Sequence, residues 1–442
     1  MTTVTDTTRP GRTTDIRKAI TGSLIGTTLE WYDFFLYGSA AALVFNHVFF
    51  PDFDPLTGTL LSFMTFSIGF VARPLGGIVA GHFGDRYGRK AVLLATILLM
   101  GGSTVLIGLL PTYAMVGIWA PILLVVARLL QGMALGGEWA GGALMIAERA
   151  GDKHRGFLTS FVQVGVPIGT LLSTLVLFVM SAVQPEEDFL AWGWRVPFLI
   201  SIVVVAIGVY IRRQVDETPV FLEMEKEQAR PQRAPILEVF RTQPLDVFRV
   251  VGIRAGADIV YYTCVTFTLT YVAQILGLPR EIGLVASLIA AGMQIFTYPA
   301  FAALSDRFGR RPVTVFGAVG CLAWAFAFFP MMDTGSAVLI VLGVLLGLFF
   351  HSAMYGVQAS WICELFDKEH RYSGASIGYQ LSGIVGGSLA PTISLWLFNT
   401  FQSTLAIQLY VALGCLIVAL TALATRETRG VDMTTARRGG GR

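Results

Sequence analysis

The sequence is poor in charge, and that is the first constraint on it. Only 14% of its 442 residues are Asp, Glu, Lys or Arg, while 54% are apolar. A soluble fold of this length carries about a quarter charged residues, so an ordinary soluble globule is excluded. A net charge of +3 is too small to indicate nucleic acid as a partner. Cysteine is scarce: Cys264, Cys321, Cys363 and Cys415 lie in apolar stretches without CxxC spacing, so they read as packing residues, with neither a disulfide framework nor a metal site. The five histidines, His47, His82, His154, His351 and His370, form no HxxxH or HExxH cluster. No nucleophile motif stands beside a base in an apolar run, which argues against a membrane enzyme and leaves no cofactor expected. The period-two alternation of a membrane barrel is also missing.

What the chain has is apolar length. Twelve runs approach the roughly 20 residues that cross a hydrocarbon core. They lie at about 20–45, 58–80, 91–110, 118–147, 157–180, 196–211, 250–276, 282–303, 312–331, 336–362, 373–397 and 401–425. The fold class expected is therefore all-α and integral to the membrane. With both termini in the cytoplasm, 27 of the 32 Lys and Arg fall on that side. The exceptions are Arg73, Arg128, Arg195, Arg254 and Arg280, and the asymmetry predicts a multi-pass plasma-membrane protein with both ends inside. The acidic loop QPEED (184–188), followed by Trp192 and Trp194, suits the outer interface. The domain boundaries expected are a disordered cytoplasmic tail at 1–18, a six-helix bundle at 19–211, a cytoplasmic connecting loop at 212–249, a second six-helix bundle at 250–425 and a disordered tail at 426–442.

The two halves echo each other. GHFGDRYGRK (81–90) returns as ALSDRFGRRP (303–312), each between the second and third run of its half. A looser echo pairs AERAGDKHRG (147–156) with CELFDKEHRY (363–372), with Glu148 to Arg155 and Glu364 to Arg371 spaced alike. Repeats of this kind predict bundles related by a pseudo-two-fold axis along the membrane normal, with a cavity between them at mid-depth.

GxxxDRxGRK in this position, repeated in the second half, resembles the signature loop of the major facilitator superfamily. More narrowly, LEWYDFFLYG (29–38), RLLQGMALGGEW (128–139) and ELF with HRYSGASIGYQLSGIVGGSLAP (within 364–391) resemble the metabolite:proton symporter family, through nearly all of 20–425. That family holds permeases for shikimate, 2-oxoglutarate, citrate and proline or betaine. Two departures concern the substrate: RAGAD (254–258) stands where shikimate-type relatives carry an Arg followed by Glu-Asn, and YGV (355–357) replaces YGP. The resemblance implies that Asp85 meets the start of span 11 near Ser373, that Asp306 meets the start of span 5 near Gly156, and that Arg89 and Arg310 pair with Glu148 and Glu364. A carboxylate at a helix start is favoured by the exposed amides there. Gly81, Asp85, Arg86, Gly88 and Arg89, with Asp306, Arg307, Gly309 and Arg310, thus read together with Glu148 and Glu364 as a cytoplasmic gate.

An ionisable residue at mid-bilayer costs at least about 2.5 kcal/mol, so each needs a partner or a task. Glu30 and Asp33 sit at i and i+3 on span 1 and share a face with Tyr37. Span 4 supplies Arg128, Gln131 and Glu138; Arg128 and Glu138 are about 15 Å apart along the axis and cannot pair, which leaves Arg128 to oppose Asp33 or Glu30. Span 7 supplies Arg254 and Asp258 at i and i+4, an intrahelical ion pair in the simpler reading, with Tyr261 and Tyr262 beyond. Arg73, beside Pro74, reads as snorkelling to the inner interface. Guanidinium groups facing a cavity suit a carboxylated substrate, and a carboxyl removed from water can exchange between neutral and ionised forms. The expectation is a secondary active transporter, monomeric and driven by the proton gradient, that takes up a small organic acid by alternating access. Its proton-coupling residues are Asp33, favoured as the deeper, and Glu30. Its substrate contacts are Arg128, Gln131, Glu138, Arg254, Asp258, Tyr37 and Tyr261. Uptake of a zwitterionic osmolyte such as proline or betaine, or passive uniport on the same fold, are the alternatives.

Overall fold

The computed structural model describes residues 10–87, 89–134, 138–214 and 235–433, and every regular element among them is helical. Twelve long helices occupy the twelve apolar runs. The first half comprises α1 (Pro10–Leu43), α2 (Pro55–Tyr87), α3 (Arg89–Leu109), α4 (Trp119–Arg149), α5 (Arg155–Val183) and α6 (Arg195–Gln214). The second comprises α7 (Pro244–Ile275), α8 (Arg280–Phe308), α9 (Arg310–Asp333), α10 (Ala337–Leu365), α11 (Arg371–Phe401) and α12 (Thr404–Ala424). Among the described residues nine of these are long and apolar enough to cross a bilayer, and α6 becomes a tenth when joined across a 45° bend to Glu186–Gly193. The other two are α1, whose acids interrupt it, and α3, whose apolar stretch is Leu94–Leu109. The apolar side chains face outward as well as inward: Leu409, Leu413 and Leu420 of α12 are all exposed, as a helix bathed in lipid requires.

Local chemistry sets the ends. Pro55 opens α2, where its missing amide costs nothing, and Asp54 just before it accepts the Thr57 amide at 3.1 Å. Hydrogen bonds from Thr57 hold the Asp54 carboxyl below the usual carboxylate range. Gly309 at φ 107° separates α8 from α9, a backbone angle that a side chain would strain.

Three expectations need correction. Residues 10–18 are helical rather than disordered, because Pro10 starts a helix that α1 then continues, and extending a formed helix is far easier than nucleating one. Residues 426–433 are held in place: Glu427 accepts the backbone amides of Arg310 and Arg311 at 2.9 and 3.0 Å, and the Met433 carbonyl accepts from Arg371 at 3.2 Å. Trp194 is fully buried against Phe45, Phe49 and Phe198, and of the two tryptophans it is Trp192 that is exposed. Part of the connecting loop, 215–234, lies outside the described residues.

The halves meet where α5 packs on α8 and α10 and where α2 packs on α11. Advancing each helix by six converts the α2–α11 contact into the α8–α5 contact, as a pseudo-two-fold axis demands. Across the centre α1 faces α7, with Phe35 at 5.3 Å from Tyr261 and 5.9 Å from Tyr262 between ring centres. Helix α7 contains two π-helical turns, Thr263–Phe267 and Tyr271–Ile275, and α11 contains one, Gly383–Ser388. Gly386 in that turn lies against the Ala255 carbonyl with no room for a Cβ, so α7 and α11 approach backbone to backbone.

Candidate functional site

Glu30 and Asp33 lie in the buried part of α1, at 4% and 2% exposure. One turn apart, they face different helices. Asp33 turns away from the interface, toward α3 and α6, where the Ser201 hydroxyl donates to it at 3.0 Å and Thr104 is its other hydrogen-bonding neighbour. Glu30 turns toward α2 and meets Arg73, Nη1 to Oε1 at 3.6 Å. The snorkelling expected of Arg73 is therefore corrected: its side chain points inward, 1% exposed, between the rings of Phe70 (4.5 Å), Phe34 (4.6 Å) and Trp31 (5.8 Å).

Arg128 is placed by glycine. Gly132 on α4 rests against the Gly69 carbonyl of α2, and Gly69 leaves the space that the Arg128 side chain fills. Its guanidinium donates to Gln131 Oε1 and to the Phe66 carbonyl at 3.5 Å, over the rings of Tyr37 (4.2 Å) and Phe34 (4.5 Å). Gln131 Nε2 then donates to Thr104 at 2.7 Å. Arg128 thus reaches Asp33 through an amide and a hydroxyl, and forms no direct ion pair with either acid of α1. Tyr37 bonds Thr65 at 2.6 Å within the same half. The Glu138 side chain lies outside the described residues.

In the second half Arg254 and Asp258 form the intrahelical pair, Nε to Oδ2 at 2.9 Å. The Arg254 guanidinium lies 3.1 Å from the centre of the Tyr379 ring, which stacks on Trp139 of the opposite half at 3.8 Å. Tyr261 reaches across to the Thr170 hydroxyl of α5 at 2.8 Å. Between these groups lies a small cavity of about 10 Å³, lined by Trp31, Phe35, Val166, Asp258, Tyr261, Tyr262 and Tyr355. The expected site residues therefore fall into two sets, a polar relay inside the first bundle (Asp33, Arg128, Gln131, Tyr37) and a group at the interface (Arg254, Asp258, Tyr261). Sequence reasoning missed Tyr355 and Tyr379. It also missed His351, whose ring is 5.3 Å from Tyr355 and 5.2 Å from Tyr261. Tyrosines and a histidine in apolar helices are ordinary packing residues by composition, so nothing local marked them.

Among the described residues, contacts join the two halves on both sides of the cavity. On the face carrying the repeat loops, Asp306 accepts the amides of Gly156 and Phe157 at the start of α5, at 2.8 and 2.9 Å. Arg310 joins Asp306 at 2.7 Å and Glu364 at 3.0 Å, and Glu364 also holds Arg155 of the first half at 3.1 Å. Glu148 meets Arg371 at 3.7 Å, so the glutamates and arginines of the looser echo pair crosswise between halves. The Arg307 carbonyl accepts from Arg429. Gly88 and the side chains at Gly81, Asp85, Arg86 and Arg89 lie outside the described residues. On the opposite face Gln274 donates to the Ala42 carbonyl at 3.0 Å, and Arg280 approaches Glu186 at 3.7 Å.

The family model "Sugar (and other) transporter" matches residues 18–246, and "Major Facilitator Superfamily" matches residues 258–439. The chain is 42% identical over 417 residues to a shikimate transporter of Escherichia coli, covering 93% of this chain and 95% of that one. It is 34% identical to a proline/betaine transporter of Salmonella typhimurium, covering 93% and 84%. Among solved structures, a proton:xylose symporter, XylE, bound to 6-bromo-6-deoxy-D-glucose superposes with a TM-score of 0.76 at 18% identity, over 96% of this chain and 98% of that one.

Proposed function

This chain belongs to the major facilitator superfamily, and from that premise we propose that it is a proton-coupled symporter bringing a small organic acid, a mono- or dicarboxylate, into the cell by alternating access. It is a multi-pass membrane transporter and not an enzyme. The observation that carries the finer reading is the pairing of unmet cationic donors with buried acids at the centre. Arg128 Nε and Arg254 Nη1 are buried without a hydrogen-bond partner among the described residues, one in each half. A guanidinium with spare N–H groups is matched to a carboxylate. Binding an anion there leaves the acids of α1 free for another task, and carrying the proton is the one that couples uptake to a gradient. Protonation at Asp33 or Glu30 reduces the negative charge around the arginines, so proton and anion favour each other's binding, which is what symport needs.

The excess of Lys and Arg on the repeat-loop face supports placing that face, with both termini, in the cytoplasm of a bacterial cell. The contacts of Asp306, Arg310, Arg155 and Glu364 then act as the cytoplasmic latch, closed in this conformation. The transporter works as a monomer with no cofactor. A second reading, uptake of a zwitterionic osmolyte, is supported by the aromatic lining of the cavity, since Trp31, Tyr261, Tyr262 and Tyr355 suit a quaternary ammonium.

The test is proton uptake in proteoliposomes. Adding shikimate, 2-oxoglutarate or citrate outside is expected to alkalinise the external medium, and an inward proton gradient is expected to drive accumulation. If the acids and glycine betaine alike produce neither response, proton symport is wrong.

A further inference from the structure

We propose that Arg73 is the residue that grips the carboxylate of the cargo, and that Glu30 is its resident counter-ion, displaced when Glu30 takes up the proton. This rests on the symport reading above and names the binding group within it. Three buried arginines face the centre, and their engagement differs. Arg128 is tied to Gln131 and to the Phe66 carbonyl. Arg254 is neutralised within its own helix by Asp258 at 2.9 Å. Among the described residues Arg73 has one ion pair, with Glu30, and at 3.6 Å that contact is longer than a charge-assisted hydrogen bond of about 2.7–2.9 Å. Its Nε and Nη2 are both buried without a hydrogen-bond partner among the described residues. Buried donors are almost always satisfied in a resting fold, so two on one guanidinium mark a missing acceptor.

Arg73 does not itself line the central cavity, but its neighbours do. Trp31, which walls the Arg73 guanidinium, also lines the central cavity, and so do Asp258 and Tyr262, on both of which the Arg73 charge acts from across the interface. The Tyr262 hydroxyl is likewise buried and unpartnered among the described residues. A carboxylate entering here takes two N–H groups of Arg73 side by side, with the Tyr262 hydroxyl as a third donor. One proton goes onto a Glu30 oxygen, the Glu30–Arg73 pair opens, and the cargo carboxylate replaces the Glu30 carboxylate. For a cargo of net charge −1, the charge of the cavity is then the same before and after loading. Among the described residues Arg73 is tied to Glu30 by the ion pair and Tyr379 by its charge, with Asp33 a turn away on the same helix and Arg128, Arg254 and Asp258 around the same centre. From α3 and α6, Thr104 and Ser201 face Asp33 of α1 and are neutral.

The experiment uses the full chain, purified and in proteoliposomes, with whichever of shikimate, 2-oxoglutarate, citrate and glycine betaine the wild type accumulates as the probe. All four carry a carboxylate. Wild-type affinity for the probe is expected to fall with rising pH, by up to about tenfold per pH unit above the titration of the acid, because one proton binds with each cargo molecule. Glu30→Gln is expected to bind with an affinity that changes less than about twofold between about pH 6 and pH 8.5, since the counter-ion is permanently neutral. Arg73→Gln is expected to lose at least about tenfold in affinity, and Arg73→Lys, which keeps the charge but not the fork, to recover only part of it. Wild-type affinity in Arg73→Gln, or an undiminished pH dependence in Glu30→Gln, overturns the proposal and leaves symport standing. If Arg73→Gln does not purify as a folded monomer, Arg73→Lys decides, and wild-type affinity in it is equally fatal. If the wild type accumulates none of the four, the symport reading fails and this assignment fails with it.

Discussion

Asp33 and Glu30 are a single turn apart, yet they answer to different neighbours: Ser201 and Thr104 for one, Arg73 for the other. Residue type and depth are readable from a sequence, because a carboxylate in an apolar run is conspicuous. Which neighbour it meets is not, because the i, i+3 relation fixes a rough face and the two side chains can lean apart toward different helices. Arg73 illustrates the same limit. Beside a proline near the inner loop it had every reason to reach for the interface, and Glu30 with the rings of Phe34 and Phe70 explains why it turns inward. The different surroundings of the two acids predict different phenotypes. Asp33→Asn is expected to abolish uphill accumulation while leaving exchange between substrate pools and the pH dependence of binding in place. Counterflow and gradient-driven uptake measured on the same proteoliposomes check this, and undiminished uphill uptake removes Asp33 from the coupling path.

At the scale of elements, the twelve helices were legible because apolar length is a strong signal and the repeat divides it evenly. Their internal geometry was not. A π turn inserts an extra residue into the helix, so side chains beyond it depart from the 3.6-residue register by about one position. Within the second such turn of α7, Gln274 faces Ala42 and Thr59 of the first half and helps close the outer end. In α11 the π turn contains Gly386, pressed on the Ala255 carbonyl. The obstacle is backbone and cannot rotate aside, so Gly386→Ala should force α7 and α11 apart and destabilise the fold by about 1–3 kcal/mol. Thermal melting in detergent is expected to show a lower Tm together with weaker cargo binding, and an unchanged Tm would refute this account of the contact.

Across the whole molecule, charged contacts on one face span the two halves. Glu364 is the hub, taking Arg155 from the first half, Arg310 from the second, and the Thr428 hydroxyl from the segment beyond α12. Removing one member of a buried ion network costs about 3–5 kcal/mol, because its partners stay buried without a counter-charge. Glu364→Gln should therefore shift the population toward a conformation open on this face. The native Cys363, buried beside Glu364, provides the readout. Its labelling by a maleimide is expected to accelerate in the variant, and an unchanged rate would sink the latch reading.

The sequence by itself determined what each segment must do in a bilayer: twelve apolar runs, charge gathered toward one face, two halves carrying the same loop, and acids and arginines too costly to sit in lipid without a purpose. These are properties of short segments and their solvent, so they survive without coordinates. The tertiary structure alone decided the partnerships. It sent Glu30 to Arg73, linked Arg128 to Asp33 through Gln131 and Thr104, set Glu148 on Arg371, and drew residues 426–433 onto the latch. The physical reason is that the direction of a side chain depends on helix rotation, π turns and the close approaches that glycine permits, and those are settled only when the twelve helices pack together.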